Sequence, residues 1–254
     1  MFRCLIAVSF TLALAVLSLF GAGCSSSSPA NVRFVHAIQD GAAMDISISG
    51  KTEFTGVSFL NVQPNQPGYT SIPSGNNTIE GLLAGTSTIG FNSTTVSWTS
   101  GTDYTVIATG HVTCTPPCTP NATIVSIPDN NSPPPTNDVE FRFIHASPSG
   151  PPGGSPTVDI YVQLIPSAGP TGTPAVSGLA YTQASGYFQT VYNPNSVDQF
   201  LGYQIFVTPA GSTSPVYISE PIDPANGAIR TLILTDIQNG TAMNSSFLEL
   251  PDLH

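Results

Sequence analysis

What this chain has least of is charge. Only 8% of its 254 residues are Asp, Glu, Lys or Arg, against about 25% in an ordinary soluble domain. One lysine, Lys51, and four arginines, Arg3, Arg33, Arg142 and Arg230, face fifteen acidic residues. Four or five scattered cations cannot neutralise a run of phosphates, so nucleic acid is excluded as a partner. A polybasic contact with anionic lipid is excluded on the same ground. A single lysine leaves little scope for Schiff-base or Ser-Lys chemistry. There is one tryptophan, Trp98, too few rings for a stacked sugar platform; its alternation with Thr94 and Val96 points to core packing instead. Gly-x-Ser-x-Gly, His-Glu-x-x-His, Ser-x-x-Lys, P-loop and calcium-loop patterns are all missing, which removes the familiar catalytic signatures. No cofactor and no metal are expected.

What is present is apolar and uncharged polar. Hydrophobic residues make up 40% of the chain, with 24 prolines and 23 glycines. That composition suits short strands joined by turns rather than disorder. The N-terminus reads as an export signal over residues 1–23. Met1-Phe2-Arg3 is positive, Leu5 to Phe20 is apolar, and Gly21-Ala22-Gly23 is a small-residue exit. Cys24 follows directly, then Ser25-Ser26-Ser27-Ser28-Pro29, so residues 24–30 read as a flexible tether. A cysteine at that place resembles the lipobox of bacterial lipoproteins, with Gly21 standing where leucine is usual. The resemblance implies lipid attachment at Cys24 and anchoring in the bacterial cell envelope, at the outer membrane. Ordinary signal-peptidase cleavage and a secreted protein is the alternative. Cys114 and Cys118 bracket Thr-Pro-Pro and read as a disulfide in an oxidising compartment. Zinc held by His111 with these thiols lacks a fourth ligand.

Residues 129–137, Asp-Asn-Asn-Ser-Pro-Pro-Pro-Thr-Asn, read as a stiff, exposed linker. Each side of it opens alike, with Val32-Arg33-Phe34-Val35-His36-Ala37 and Phe141-Arg142-Phe143-Ile144-His145-Ala146. Alternating strands follow at Met44–Ile48 and Val158–Val162, then Gly68-Tyr69 and Gly186-Tyr187, then strands at Tyr104–Ala108 and Arg230–Leu234. A period near 100 residues signals duplicated domains, here 31–128 and 138–254, rather than a solenoid. β-branched and aromatic runs recur between turn residues and no helical period appears. The expected fold is all-β, two antiparallel β-sandwich domains in tandem with about seven strands each. Val32, Phe34 and His36, with Phe141, Phe143 and His145, belong on the core face. Arg33 and Arg142 then fall on the opposite face, expected to be surface.

The Arg-Phe-Val/Ile-His-Ala opening, the Asp-Ile strand and Asp103-Tyr104-Thr105-Val106-Ile107-Ala108-Thr109-Gly110 resemble the bacterial domain of unknown function 4397. The likeness runs from Val32 to about Gly110. In the second half Ser147-Pro148 restores the usual turn, but an insertion follows and the Arg230 strand lacks the tyrosine. The resemblance implies an exported, often tandem, Ig-like β module and no activity.

Two pairs are candidates for binding or acid–base work: His36 with Asp45 and His145 with Asp159. A carboxylate that orients an imidazole makes a base or a ligand. The competing reading is a buried, hydrogen-bonded His beside a turn-anchoring Asp, and Asp45 should point away from the face His36 shares. The sequence therefore reads as a non-catalytic envelope lipoprotein. Its expected partners are the membrane, through the lipid, and an envelope protein or glycan. The alternatives are an extracytoplasmic hydrolase using the His–Asp pairs and a small-ligand or metal-binding lipoprotein.

Overall fold

The computed structural model describes residues 28–112, 120–149, 157–192, 202–239 and 242–252. The export signal, Cys24, Cys114 and Cys118 lie outside them. Among the described residues every regular element is a strand, and no helix is long and apolar enough to cross a membrane.

The N-terminal half has nine strands: β1 (Ala30–His36), β2 (Met44–Ile48), β3 (Lys51–Val57), β4 (Val62–Gln63), β5 (Thr70–Ile72), β6 (Gly75–Leu83), β7 (Ile89–Trp98), β8 (Asp103–Thr109) and β9 (Thr123–Pro128). The C-terminal half has eight: β10 (Asp138–His145), β11 (Thr157–Leu164), β12 (Val176–Ala180), β13 (Phe188–Val191), β14 (Tyr203–Pro209), β15 (Tyr217–Ile218), β16 (Ile229–Asn239) and β17 (Ala242–Pro251). Each half is a two-sheet sandwich. In the first, β4-β1-β8-β9, with β5 also on β1, faces β3-β2-β6-β7; in the second, β13-β10-β16-β17 faces β12-β11-β14-β15. Cores built on Phe34, Ile46 and Val106, and on Phe143, Ile160 and Leu232, fill the two sandwiches.

Pairing is antiparallel except for one parallel pair in each half. β1 runs beside β8 with Phe34 opposite Val106, and β10 beside β16 with Phe143 opposite Leu232. Parallel neighbours need a long crossover; here the chain supplies it by visiting the other sheet between the two strands. That excursion also puts β1 and β2 in opposite sheets, so they are not hydrogen-bonded neighbours.

The two inner sheets pack on each other. Val35, Ala37 and Ile107 from one half join Ile144, Ala146, Ile233 and Leu250 from the other in a third apolar cluster. The order of layers is therefore outer sheet, inner sheet, inner sheet, outer sheet. Inner strands are buried on both faces, which is why Val32–Ala37 and Phe141–Ala146 are nearly continuous apolar runs. The face expected to be surface at Arg33 and Arg142 is this interface. Most of residues 129–137 is exposed, as a linker should be, but the Asp129 side chain has no exposure and Pro134 is buried.

All four central strands point the same way. Arg33 of β1 reaches Pro251 and Asp252, beside the start of β16, while Thr109 at the end of β8 donates to the Ala146 carbonyl just past β10, 2.7 Å away. The halves thus lie side by side. One end of the molecule holds the strand starts and both ends of the 129–137 segment; the other holds the exit loops of β1 and β10.

Candidate functional site

The structure does not bring the two candidate pairs together. His36 is fully buried, and its Nδ1 accepts the Ile38 amide at 3.2 Å. The proton must then sit on Nε2, which donates to the Ala42 carbonyl at 3.0 Å. His145 repeats half of this pattern: Nδ1 accepts the Ser147 amide at 3.3 Å, but Nε2 is buried without a partner. Phe59 and Tyr181 lie edge-on to the two imidazoles. Burial pushes both histidines below their ordinary value, His145 to about 4, with Asp236 acting weakly in the other direction there. Both are neutral over the physiological range.

The partner aspartates are engaged elsewhere. Asp45 accepts the amides of Gly56 (2.7 Å) and Gly85 (2.8 Å), and these bonds hold its carboxyl below the usual carboxylate range. Asp159 accepts the amides of Gly178 (2.6 Å) and Gly211 (2.7 Å), and the Ser177 hydroxyl. Both aspartates tie the turn of an outer hairpin to the neighbouring strand. The candidate His36–Asp45 and His145–Asp159 contacts do not form, for a topological reason: the histidine sits on an inner strand and the aspartate on an outer one, with Asp45 pointing away from the core as its alternation with Ile46 requires.

The titratable cluster that does form lies outside both candidate pairs. Arg33 donates through Nε to Thr105 (2.8 Å) and through Nη2 to Asp252; Arg142 donates through Nε to Thr231 (3.1 Å) and through Nη2 to Asp129 (2.6 Å). Each guanidinium also reaches a proline carbonyl of the opposite half's last strand, Pro251 at 3.4 Å and Pro128 at 3.0 Å. Thr105 donates to Asp129 and Thr231 to Asp252. Tyr69 lies over Arg33 and Tyr187 over Arg142, at 5.2 and 4.7 Å. Burial opposes the Arg33 charge, but Asp129 and Asp252 outweigh it and raise its affinity for the proton. Burial likewise raises the Tyr187 hydroxyl to about 12, Arg142 opposing. Two cations and two carboxylates balance, and all four side chains are at most 1% exposed.

This cluster is an interface lock. Its marks in the sequence are three: the paired arginines, the paired Gly-Tyr dipeptides, and Ile127-Pro128-Asp129 matched by Leu250-Pro251-Asp252. The third is the least conspicuous, because it lies at the far ends of the two repeats.

Two open concavities among the described residues are small. One, of about 260 Å³, lies between β7 and β9 and is lined by Ile89, Phe91, Asn92, His111, Val112 and Asn121, among others. His111 there is 3.7 Å from Asp40. The other, of about 180 Å³, opens between β15 and β17 over Tyr217, Ile222, Leu232 and Phe247. Among the described residues no three His, Cys, Asp or Glu side chains form a metal-binding group. Trp98 is buried beside Tyr104 and donates to Ser126, as core packing requires.

No curated protein matches the chain. Two solved structures share 11% identity with it. The Bacillus anthracis TIE protein is covered over 34% of its length by 87% of this chain, with a TM-score of 0.24. A candidate adhesin from Bacteroides ovatus is covered over 95% by 86% of this chain, with a TM-score of 0.21. The chain thus spans about a third of the Bacillus anthracis protein, and neither overlay is close enough to carry an argument about fold or activity. The family signal is confined to the N-terminal sandwich, the linker and the first strand after it: residues 30–152 match the family model described as domain of unknown function (DUF4397).

Proposed function

We propose that the chain is a non-catalytic cell-envelope lipoprotein, anchored through Cys24, that displays two related β-sandwiches as one rigid head. One observation supports this above the rest: the side chains that would carry chemistry hold the fold together. The histidines pin the turns after β1 and β10, Asp45 and Asp159 cap hairpins, and both buried arginines lock the halves. An interface made of a buried apolar cluster plus a neutralised ionic cluster favours a fixed relation between the sandwiches, unlike flexibly joined modules.

The test is intact-mass analysis of the membrane fraction beside a Cys24→Ser variant. The reading expects a chain beginning at Cys24 with an added diacylglycerol, and release of the variant into the soluble fraction. A Cys24→Ser chain that partitions with membranes as the wild type does overturns it.

A further inference from the structure

We infer that the cleft between β15 and β17 of the second sandwich is a binding site for a small arylalkylammonium ion, taken ring-first with its charge left at the rim. This goes beyond the envelope reading and does not depend on the anchor at Cys24.

The two halves use the same place differently. β7 and β9 are the matching edges of the first sandwich, and the gap between them is plugged from within. Trp98, opposite the first residue of β6, is buried there beside Tyr104 and donates through Nε1 to Ser126 at 2.9 Å. Ser126 stands opposite Val106, as Glu249 stands opposite Leu232 in the second half. Tyr104 likewise matches Arg230, each paired with the proline of its last strand. Ile222 stands opposite the first residue of β14 and is a smaller side chain than the indole. The outer edge is shorter too, two residues in β15 against ten in β7. In place of the plug the second sandwich has an opening of about 180 Å³.

That opening is graded from apolar to charged. Leu232 and Ile222 are buried, Tyr217 and Phe247 stand edge to face with centroids 5.4 Å apart, and Glu220 and Glu249 are exposed. An aromatic tail finds its partners at depth. Its N–H donors then meet carboxylates, where the Trp98 N–H meets a hydroxyl. Charge makes the donor a cation. Arg230 holds Glu249 at 2.8 Å, whereas Glu220 takes part in no hydrogen bond or ion pair among the described residues. The rim therefore carries one negative charge that nothing in it balances, and a charged donor makes the stronger bond. The volume is below the roughly 300–1,000 Å³ of drug-sized sites, which limits the tail to about one ring.

The segment that carries Glu220 is fixed in advance. The Ser219 amide donates to the Ile205 carbonyl and the Ile205 amide to Ser219 Oγ, both at 2.9 Å. Tyr203 and Ile222 exchange both backbone bonds, at 2.7 and 2.8 Å. Little ordering is then lost on binding. The opening left in the first sandwich lies at the other end of β7. Its polar groups are Asn92, His111 and Asn121, with no carboxylate among its lining residues, so it should not take the ion.

The test is an NMR titration of the full mature chain, labelled at isoleucine and leucine methyls, with phenethylammonium, phenylacetate and phenethyl alcohol. The Ile222 and Leu232 signals should shift and saturate with phenethylammonium, at a dissociation constant of about 1 mM, while Ile89 in the other opening stays still. Phenylacetate should not bind, and the alcohol should bind about three- to tenfold more weakly than the ammonium. Glu220→Gln should weaken the ammonium by about three- to tenfold. Ile222→Trp, which rebuilds the plug of the first sandwich, should abolish binding. Glu220 is exposed, so its variant keeps the fold, and unmoved methyl signals in the first sandwich report that directly. No saturable shift at Ile222 and Leu232, equal affinity for the three solutes, an unchanged affinity in Glu220→Gln, or binding that survives in a folded Ile222→Trp chain each overturns the inference. So does an equal shift at Ile89, which marks a general response to aromatic solutes.

Discussion

Asp129 and Asp252 hold matching places after the last strands of the two sandwiches, and they are unequally loaded. Asp129 accepts from Arg142, Thr105 and Tyr69 and lies 3.4 Å from Arg33 as well. Asp252 accepts from Arg33 and Thr231. The difference teaches that the linker's first residue, rather than the chain's last described one, is the centre of the lock. Removing one partner of a buried ion pair leaves an uncompensated charge and costs about 3–5 kcal/mol. Asp129→Ala should lose that much in denaturant unfolding of the mature chain, and Asp252→Ala clearly less. Equal losses would mean that the two ends share the load after all.

The apolar half of the interface should be symmetric where the ionic half is not. Ile107 and Ile233 are both fully buried between the inner sheets. Truncating a buried Ile to Ala typically costs about 2–5 kcal/mol, according to how far the cavity collapses. Ile107→Ala and Ile233→Ala should therefore destabilise by similar amounts, about 2–3 kcal/mol, and both should weaken cooperation between the sandwiches. A calorimetric trace that splits into two transitions for either variant would show it. A large loss for one and none for the other would break the correspondence between the halves.

Much of this architecture is legible in the sequence. The strands, the two-sandwich plan and the core faces of Val32, Phe34, Phe141 and Phe143 follow from alternation and turn residues. Residues 33, 35, 142 and 144 are harder, because alternation assigns every second residue to solvent unless something covers that face. The continuous run Phe34-Val35-His36-Ala37 is the available sign that something does. The candidate His–Asp pairing is decided at a different level. Spacing along the chain places Asp45 nine residues after His36 but cannot tell whether the next strand joins the same sheet. Here it crosses to the other one. The reciprocal contacts of Arg33 and Arg142 with the opposite half depend on docking, which no local pattern encodes, although the repeated Pro-Asp after each last strand marks the acceptors.

The histidines separate the halves by pH. Each is buried neutral, with the folded state resisting protonation that the unfolded chain accepts near pH 6.5. Stability should therefore be complete above pH 6.5 and fall as the pH drops. For His145 the fall continues to about pH 4 and amounts to roughly 3 kcal/mol at about 1.36 kcal/mol per unit. His145→Gln should flatten that limb of the stability curve between pH 6.5 and 4 more than His36→Gln does. Two variants with the same acid slope as the wild type would show that the loss comes from the carboxylates instead.

The smallest effects should come from the two aspartates, Asp45 and Asp159. Asp159 is 4% exposed and accepts three hydrogen bonds; Asp45 lies nearer the surface and accepts two. An Asn side chain offers one acceptor oxygen where the carboxylate offers two, so each Asp→Asn change leaves a turn amide without its bond. At the buried site the abandoned group cannot turn to water, and the loss should be about 1–2 kcal/mol. At the Asp45 site water replaces the carboxylate, and Asp45→Asn should lower the melting temperature by less than Asp159→Asn does. The same pair of variants divides the capping role from an acid–base one. A carboxylate that orients a catalytic imidazole changes the histidine's titration when it is neutralised, whereas a hairpin cap does not. An NMR titration of His36 and His145 that is unmoved in both variants fits the capping geometry, and a shifted imidazole in either one would make that His–Asp pair a working site again.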